Sequence, residues 1–342
     1  MSQQSRMRQF MTVKTWPTYA ATSVGANIVL SALLAFSGVD ATQAVKLSTL
    51  LMVNVVATGL LWQAWRQTVI SIAEFLGVGI VGAVVVGLCI ALLLPASLIP
   101  ISFWILTPLV AFLLVIIRRE KIRPILRLEF DSVTLYSALV AIAVSLFLNR
   151  IQFTRYGLDN QADYTQYHPD LLFHQALTNA ITQSGVGQNG LMSDWPIRYH
   201  WFSHAVASAF EQGTNPSSFV VLTRLLPIIA ICSMAFLGAT WSRMLTKQKW
   251  VPLVVALTLT TGKFVGDSAG VQVNWDSPSQ TLSIPLLIFA CFVTYLLCNH
   301  PSRWPSVAVL ATISFVLVGL KDQHRICLLN SHVCPRDVRF VN

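Results

Sequence analysis

The residues able to do chemistry crowd into one stretch of the chain, Asn149–Gln212. It holds four of the seven histidines, His168, His174, His200 and His204, and four aspartates, Asp159, Asp163, Asp170 and Asp194. Imidazoles and carboxylates brought together can bind a divalent cation or take a proton as a general base. Asp170 and His174 stand four residues apart, a spacing that makes two side chains neighbours on a helix. His200 and His204 repeat that spacing. Each pair also has a plain reading: a local hydrogen bond on a surface helix, or aromatic and imidazole anchors beside a membrane span. The second pair is not the His-Glu-x-x-His of zinc proteases, because it lacks the glutamate that activates water. A second polar stretch, Thr261–Gln280, carries Lys263, Asp267 and Asp276. Trp275 beside Asp276 is either a sugar-stacking platform or an interface anchor.

Two helices are expected to position the first cluster. Asn149–Gln212 is rich in Tyr, Trp, Phe and Leu, which argues against disorder, and a mere connection needs no such composition. Pro169 suits the first turn of a helix with His168 near its cap, and Gly185 suits its end. Leu171, Leu172, Ala176, Leu177, Ala180 and Ile181 then form one apolar face, expected at the membrane surface. A second helix is expected to start near Tyr199 and to carry His200 and His204 on one face. Asp163 precedes the first helix in a turn-rich segment.

The rest of the chain reads as membrane. Of 342 residues, 54% are hydrophobic and only 11% charged, against about 25% charged in soluble domains. The apolar runs are long enough for a hydrocarbon core of ~30 Å, and backbone groups in lipid must be satisfied within each segment, so the runs are helices. They do not alternate as β-barrel strands do. The expected fold is an all-α polytopic transmembrane bundle of about nine spans: Pro17–Phe36, Leu47–Trp65, Phe75–Leu94, Leu98–Ile117, Ser132–Leu148, Phe219–Trp241, Val251–Thr261 (short and weak), Leu282–Cys298 and Trp304–Leu320. The first reads as an uncleaved signal anchor.

Basic residues set the orientation. With the N-terminus cytoplasmic, inner segments hold 13 Lys and Arg and outer segments 6, leaving 4 of the 23 in the last segment. That is a positive-inside bias, and it places Asn149–Gln212 and Thr261–Gln280 outside. The Arg118–Arg127 run is a topology determinant that touches anionic lipid heads. The net charge of +9 is accounted for by orientation, so nucleic acid is not an expected partner. Gly79, Ala83 and Gly87 form a small-residue face of the kind that packs membrane helices. Cys89, Cys232, Cys291 and Cys298 sit in or beside spans as small apolar groups.

The stretches Asp163–Ile181 (DYTQYHPDLLFHQALTNAI) and Ile197–Phe210 (IRYHWFSHAVASAF) resemble the outer-loop pattern of membrane glycosyltransferases of the GT-C superfamily, over about residues 133–320. The resemblance implies transfer of a sugar from a polyprenyl-phosphate donor to an acceptor at the outer face of the cell membrane. It implies an acidic residue, Asp163 or Asp170, as general base or as holder of a divalent cation, Mg or Mn. His174 would be a second ligand or an orienting partner. Arg155 and Arg198 would meet the donor phosphate, with Lys263 a weaker candidate. Asp276 or Asp267 would match a second-loop acid. His200, His204, Trp275 and Asp276 are the expected substrate contacts. The chain departs from the family in that its acidic loop follows the fifth span rather than the first. Residues 1–130 then form an added four-span module, 131–320 a GT-C-like core with outer loop 149–212, and 321–342 an atypical tail.

That tail, Lys321–Asn342, holds two of the six cysteines and two of the seven histidines and shows no helical or strand period. It reads as an ordinary polar tail, or as a shifted frame or premature end that leaves an inactive fragment of a longer enzyme. Two other function classes fit the composition. A transporter or flippase for a lipid-linked or polar solute would need ionisable groups within spans, and few are evident. A non-catalytic membrane protein would use the loop to bind a partner.

Overall fold

The computed structural model describes residues 15–117, 125–155, 158, 169–185, 201–261 and 277–299. They are almost entirely helical: α1 Thr15–Phe36, α2 Ala41–Arg66, α3 Ile72–Leu93, α4 Ile99–Ile117, α5 Ser132–Leu148, α6 Arg150–Arg155, α7 Pro169–Ser184, α8 Phe202–Thr214, α9 Ser218–Leu245, α10 Val251–Thr261 and α11 Pro278–Asn299. The exception is a parallel bridge of two-residue strands, β1 Ile70–Ser71 and β2 Leu128–Glu129. Polar caps start the apolar helices by accepting from orphan backbone N–H groups. Asp40 does so for α2, Ser71 for α3, Asp131 for α5 and Ser217 for α9.

Six of these helices are long and apolar enough to cross a membrane: α1, α2, α3, α4, α9 and α11. The chain is therefore a multi-pass membrane protein by helix length and composition, with six such helices among the described residues rather than nine. The expected fifth and seventh spans are α5 and α10, which are apolar but shorter. The 11 residues of α10 rise about 16 Å at 1.5 Å each, well short of a ~30 Å core. The expected ninth span, the basic run at 118–124 and the 321–342 tail lie outside the described residues.

Small residues bring α2 and α3 together. A Cβ on Gly79 would stand 2.6 Å from the Val55 carbonyl, and one on Gly82 would stand 2.6 Å from Thr58 Cβ. The Thr58 hydroxyl donates to the Gly79 carbonyl at 2.8 Å. Lipid tails are as apolar as leucine, so close packing and such bonds hold membrane helices to each other. The expected packing role of Gly79, Ala83 and Gly87 is what the structure has: Ala83 is fully buried and Gly87 faces the Phe103 ring.

Two helices contain π-turns, Ser102–Leu106 in α4 and Val221–Leu225 in α9. Each sits just before a proline, Pro108 and Pro227, which lacks an N–H and collides with the carbonyl a turn earlier. Side chains serve carbonyls there: Asn54 Nδ2 donates to Phe103 O at 3.2 Å, and Arg224 Nη1 to Thr223 O at 3.2 Å. Hydropathy reads both segments as unbroken spans, so neither turn is visible in it.

The bundle has two distinct ends. At one, Gln63 Nε2 donates to Ile125 O and Arg127 O, β1 pairs with β2, and Arg243 meets Asp131. At the other, Arg224 joins Ser37 and Phe153, and α7 and α8 pack beside the 96–104 segment and the start of α9. The connections thus sort between the ends as span alternation requires.

Candidate functional site

The site at the second end is built on α7 and α8. Pro169 opens α7, and Gly185 ends it in the left-handed region, φ +76°, where an L side chain is strained. Both limits match the sequence expectation. The apolar face of α7 is covered by protein. Leu171, Leu177, Ala180 and Ile181 are buried in protein, with Leu177 and Ile181 packed on Trp201. Periodicity finds an apolar face but does not say what covers it. Helix α8 begins at Phe202, later than expected, and residues 202–210 are buried on every side. It packs against α2, α3, α7 and α11, and Trp104 Nε1 donates to Gly213 O at 2.8 Å.

Between α7 and α8 runs a seam of polar side chains. His174 Nδ1 lies 3.2 Å from His204 Nε2, their rings stacked with centroids 4.9 Å apart. His204 Nδ1 lies 3.1 Å from the Thr178 hydroxyl, which donates to the His174 carbonyl at 2.9 Å. One turn on, the Thr182 hydroxyl is 3.0 Å from both Ser208 Oγ and the Glu211 carboxylate, and Gln212 Nε2 donates to Ser208 Oγ at 3.1 Å. Partner numbers rise together on the two helices, so α7 and α8 run parallel. His174, Thr178, His204 and Ser208 are 1% exposed or less, which makes these bonds obligatory rather than optional. Burial pushes the Glu211 carboxyl above the ordinary range, and the Thr182 contact partly restrains it.

Two of the expected site residues come together in this arrangement. His174 and His204, thirty residues apart, converge. Asp170, four residues before His174 in the first turn of α7, is exposed. Arg155 is the last residue of α6. Asp163, Arg198, His200, Asp267, Trp275, Asp276 and Lys263 lie outside the described residues. Sequence reasoning passed over Thr178, Thr182, Ser208 and Glu211. The signal was present, since His174, Thr178 and Thr182 repeat every four residues inside an otherwise apolar face.

Mg or Mn takes oxygen ligands in a cage of several donors. Among the described residues no three His, Cys, Asp or Glu side chains converge on a point, and the two buried imidazoles are turned onto each other. The described part of the site therefore does not by itself fit such a cation. What it offers is a dry, hydrogen-bonded imidazole pair one helical turn from a solvent-facing carboxylate, suited to holding or moving a proton.

Arg224 is another buried ionisable group at this end, 1% exposed on the α9 π-turn. Its Nε donates to Ser37 O at 2.8 Å and its Nη2 to Phe153 O at 3.0 Å, with the guanidinium 5.5 Å from the Phe153 ring. The arginine ties the α1–α2 turn and α6 to α9. From sequence it is only a basic residue near a helix end. Comparison with family models, with curated proteins and with solved structures gives no match to this chain.

Proposed function

We propose that the chain is a GT-C-type membrane glycosyltransferase-like protein. It passes a sugar from a polyprenyl-phosphate donor to an acceptor at the outer face of the cell membrane, with its N-terminus cytoplasmic. The observation that supports this most is the His174–His204 pair buried one turn from Asp170, at the end of the bundle where the resemblance puts the chemistry. In this reading Asp170 or His174 removes the acceptor proton as the sugar carbon is attacked. Asp163 shares the carboxylate role, with or without a divalent cation held by Asp163 and Asp170. Arg155 and Arg198 serve the departing phosphate. His200, Trp275 and Asp276 bind sugar, and His204 acts through His174.

The test is transfer from a labelled polyprenyl-phosphate sugar in membranes carrying the chain. Donor consumption should fall by about 10²-fold or more in Asp170→Asn or His174→Gln. Turnover that both variants leave intact would remove the reading. Impermeant thiol labelling of Lys121→Cys in intact cells would overturn the orientation.

A second reading is transport of a lipid-linked or polar solute. It draws on Arg224, Arg66 and Glu74, which are all buried within membrane-length helices. Solute uptake by vesicles without donor consumption would favour it.

A further inference from the structure

At the end of the bundle where Arg243 meets Asp131, the starts of α5 and α10 enclose a cleft of about 280 Å³. The two helices run parallel, with Ser145 Oγ donating to the Thr260 carbonyl at 3.0 Å further along. Both N-termini therefore open at this end. Ser132, Tyr136 and Ser137 bring hydroxyls to the cleft from α5, and Lys249 and Trp250 face them from the other side. None of these side chains has a hydrogen-bond or ion-pair partner among the described residues. Ser137 is only 6% exposed, and a hydroxyl so deeply placed needs a partner. Asp131 is already engaged: it caps α5 through Val133 N and Thr134 N and lies 3.4 Å from Arg243. Arg243 Nη1 in turn holds the Lys247 carbonyl at 2.9 Å. Lys247 and Lys249 are thus left as uncompensated charges among the described residues, and no described carboxylate lines the cleft.

An ammonium, several hydroxyl donors and two helix starts are what a phosphate recognises. A cleft with cations and no carboxylate suits a headgroup of net negative charge. A choline or ethanolamine headgroup would bring a cation of its own that finds no partner there. The surfaces leading away from the cleft are apolar and exposed. Val140 and Val144 follow Tyr136 at steps of four on α5, and Val254 follows Trp250 on α10. Side chains four apart share a helix face, so each stripe runs from the cleft into the depth of the membrane, where fatty chains lie. A free phosphate has no use for such stripes. The exposed rings of Tyr136 and Trp250 stand at the border between polar cleft and apolar stripe, the level that amphipathic rings favour. We infer that this cleft is a binding site for an anionic phospholipid. Lys249 meets the phosphate, Ser132, Tyr136 and Ser137 donate to its oxygens, and the chains follow the two stripes. The site does not depend on the proposed transfer reaction.

Native mass spectrometry of the full chain, released from micelles holding equal amounts of phosphatidylglycerol and phosphatidylcholine, reads which lipid stays bound. Phosphatidylglycerol should be retained in preference. Lys249→Gln should lower its retention by about fivefold, Ser137→Ala should lower it as well, and Lys249→Arg should keep it. Lys247→Gln removes the same charge from a residue that does not line the cleft, and its loss should be much smaller. Equal retention of the two lipids by the wild type overturns the inference without any variant. Equal losses in Lys247→Gln and Lys249→Gln also overturn it, since they mark a diffuse basic surface rather than a site. So does phosphatidylglycerol retention that neither Lys249→Gln nor Ser137→Ala changes. Inorganic phosphate that displaces phosphatidylglycerol would assign the cleft to a free anion and overturn the lipid as its occupant.

Discussion

The two ends of the bundle are held by different chemistry. At the end formed by α2, α3 and the 125–131 segment, opposite charges meet. Arg66 Nε lies 3.2 Å from Glu74 Oε1, which also accepts from Trp62 Nε1 at 2.8 Å, and Arg243 lies 3.4 Å from Asp131. Gln63 there bonds both Tyr19 and the carbonyls of Ile125 and Arg127. At the α7–α8 end, the described contacts between the helices are imidazoles, hydroxyls and one partly buried carboxylate. A paired buried charge is satisfied by its partner and has nothing left to offer a ligand. The first end is therefore closed by paired charges, and the second by hydrogen bonds among imidazoles and hydroxyls.

The sharpest way to break that contrast is at Arg66. The Arg66–Glu74 pair is buried, 8% and 4% exposed. Arg66→Met leaves a buried carboxylate without its cation, which should destabilise the protein by ~3–5 kcal/mol. The double variant Arg66→Met, Glu74→Gln should recover most of that loss, because the desolvated charge goes with its partner. Unfolding in mixed detergent micelles measures both. A single variant as stable as the parent would mean that this end is not held by its charges.

Next in size is the glycine seam that both ends depend on. Gly79→Leu would drive a side chain into the Val55 backbone, which cannot rotate away, and should cost about 1–3 kcal/mol. Gly25 in α1 has nothing within 4 Å of its missing Cβ, so Gly25→Leu is the matched control and should be near neutral. Equal losses in the two variants would point to helix insertion rather than packing.

Much of this was legible beforehand, for identifiable reasons. Hydropathy located the spanning helices, because length and apolarity are local. Pro169 and Gly185 marked the ends of α7 because both act through their own backbone. Facts that depend on two distant segments were not legible. His174 and His204 were read in separate pairs with Asp170 and His200, since spacing along one helix says nothing about a neighbouring helix. Arg66 ends α2 and Glu74 opens α3, and each alone is an ordinary interfacial residue. The π-turns before Pro108 and Pro227 sit inside runs that hydropathy averages over, and one of them carries Arg224 into the core.

A smaller effect is expected at the more exposed stitch. Arg243 and Asp131 have side chains 32% and 23% exposed, so solvent screens the pair. Arg243→Met should lower stability by no more than ~1 kcal/mol, and the difference from wild type should shrink as salt is raised. A loss as large as that of Arg66→Met would show that the pair is shielded from water.

The smallest effect concerns Glu211, at the far end of the α7–α8 seam from the histidines. Burial raises its carboxyl above the ordinary value, with the Thr182 hydroxyl acting the other way. Folding thus favours the protonated acid, which can still bond Thr182. By linkage, a group whose folded pKa is raised contributes stability that is fully present below its unfolded pKa. That contribution is lost as pH rises through the folded value. The window opens at the ordinary glutamate range, near 4.3, and extends upward. Over it the parent should lose stability with rising pH relative to Glu211→Gln, whose amide stays neutral and can keep the contact to Thr182. Unfolding midpoints of the two proteins should therefore lie closest in acid and diverge toward neutral pH, with the glutamine variant the more stable. A gap that closes instead as pH rises would mean that the carboxylate is the form the seam stabilises. Polar contacts would then run from the histidines along the α7–α8 seam to an ionised acid on α8 at its other end.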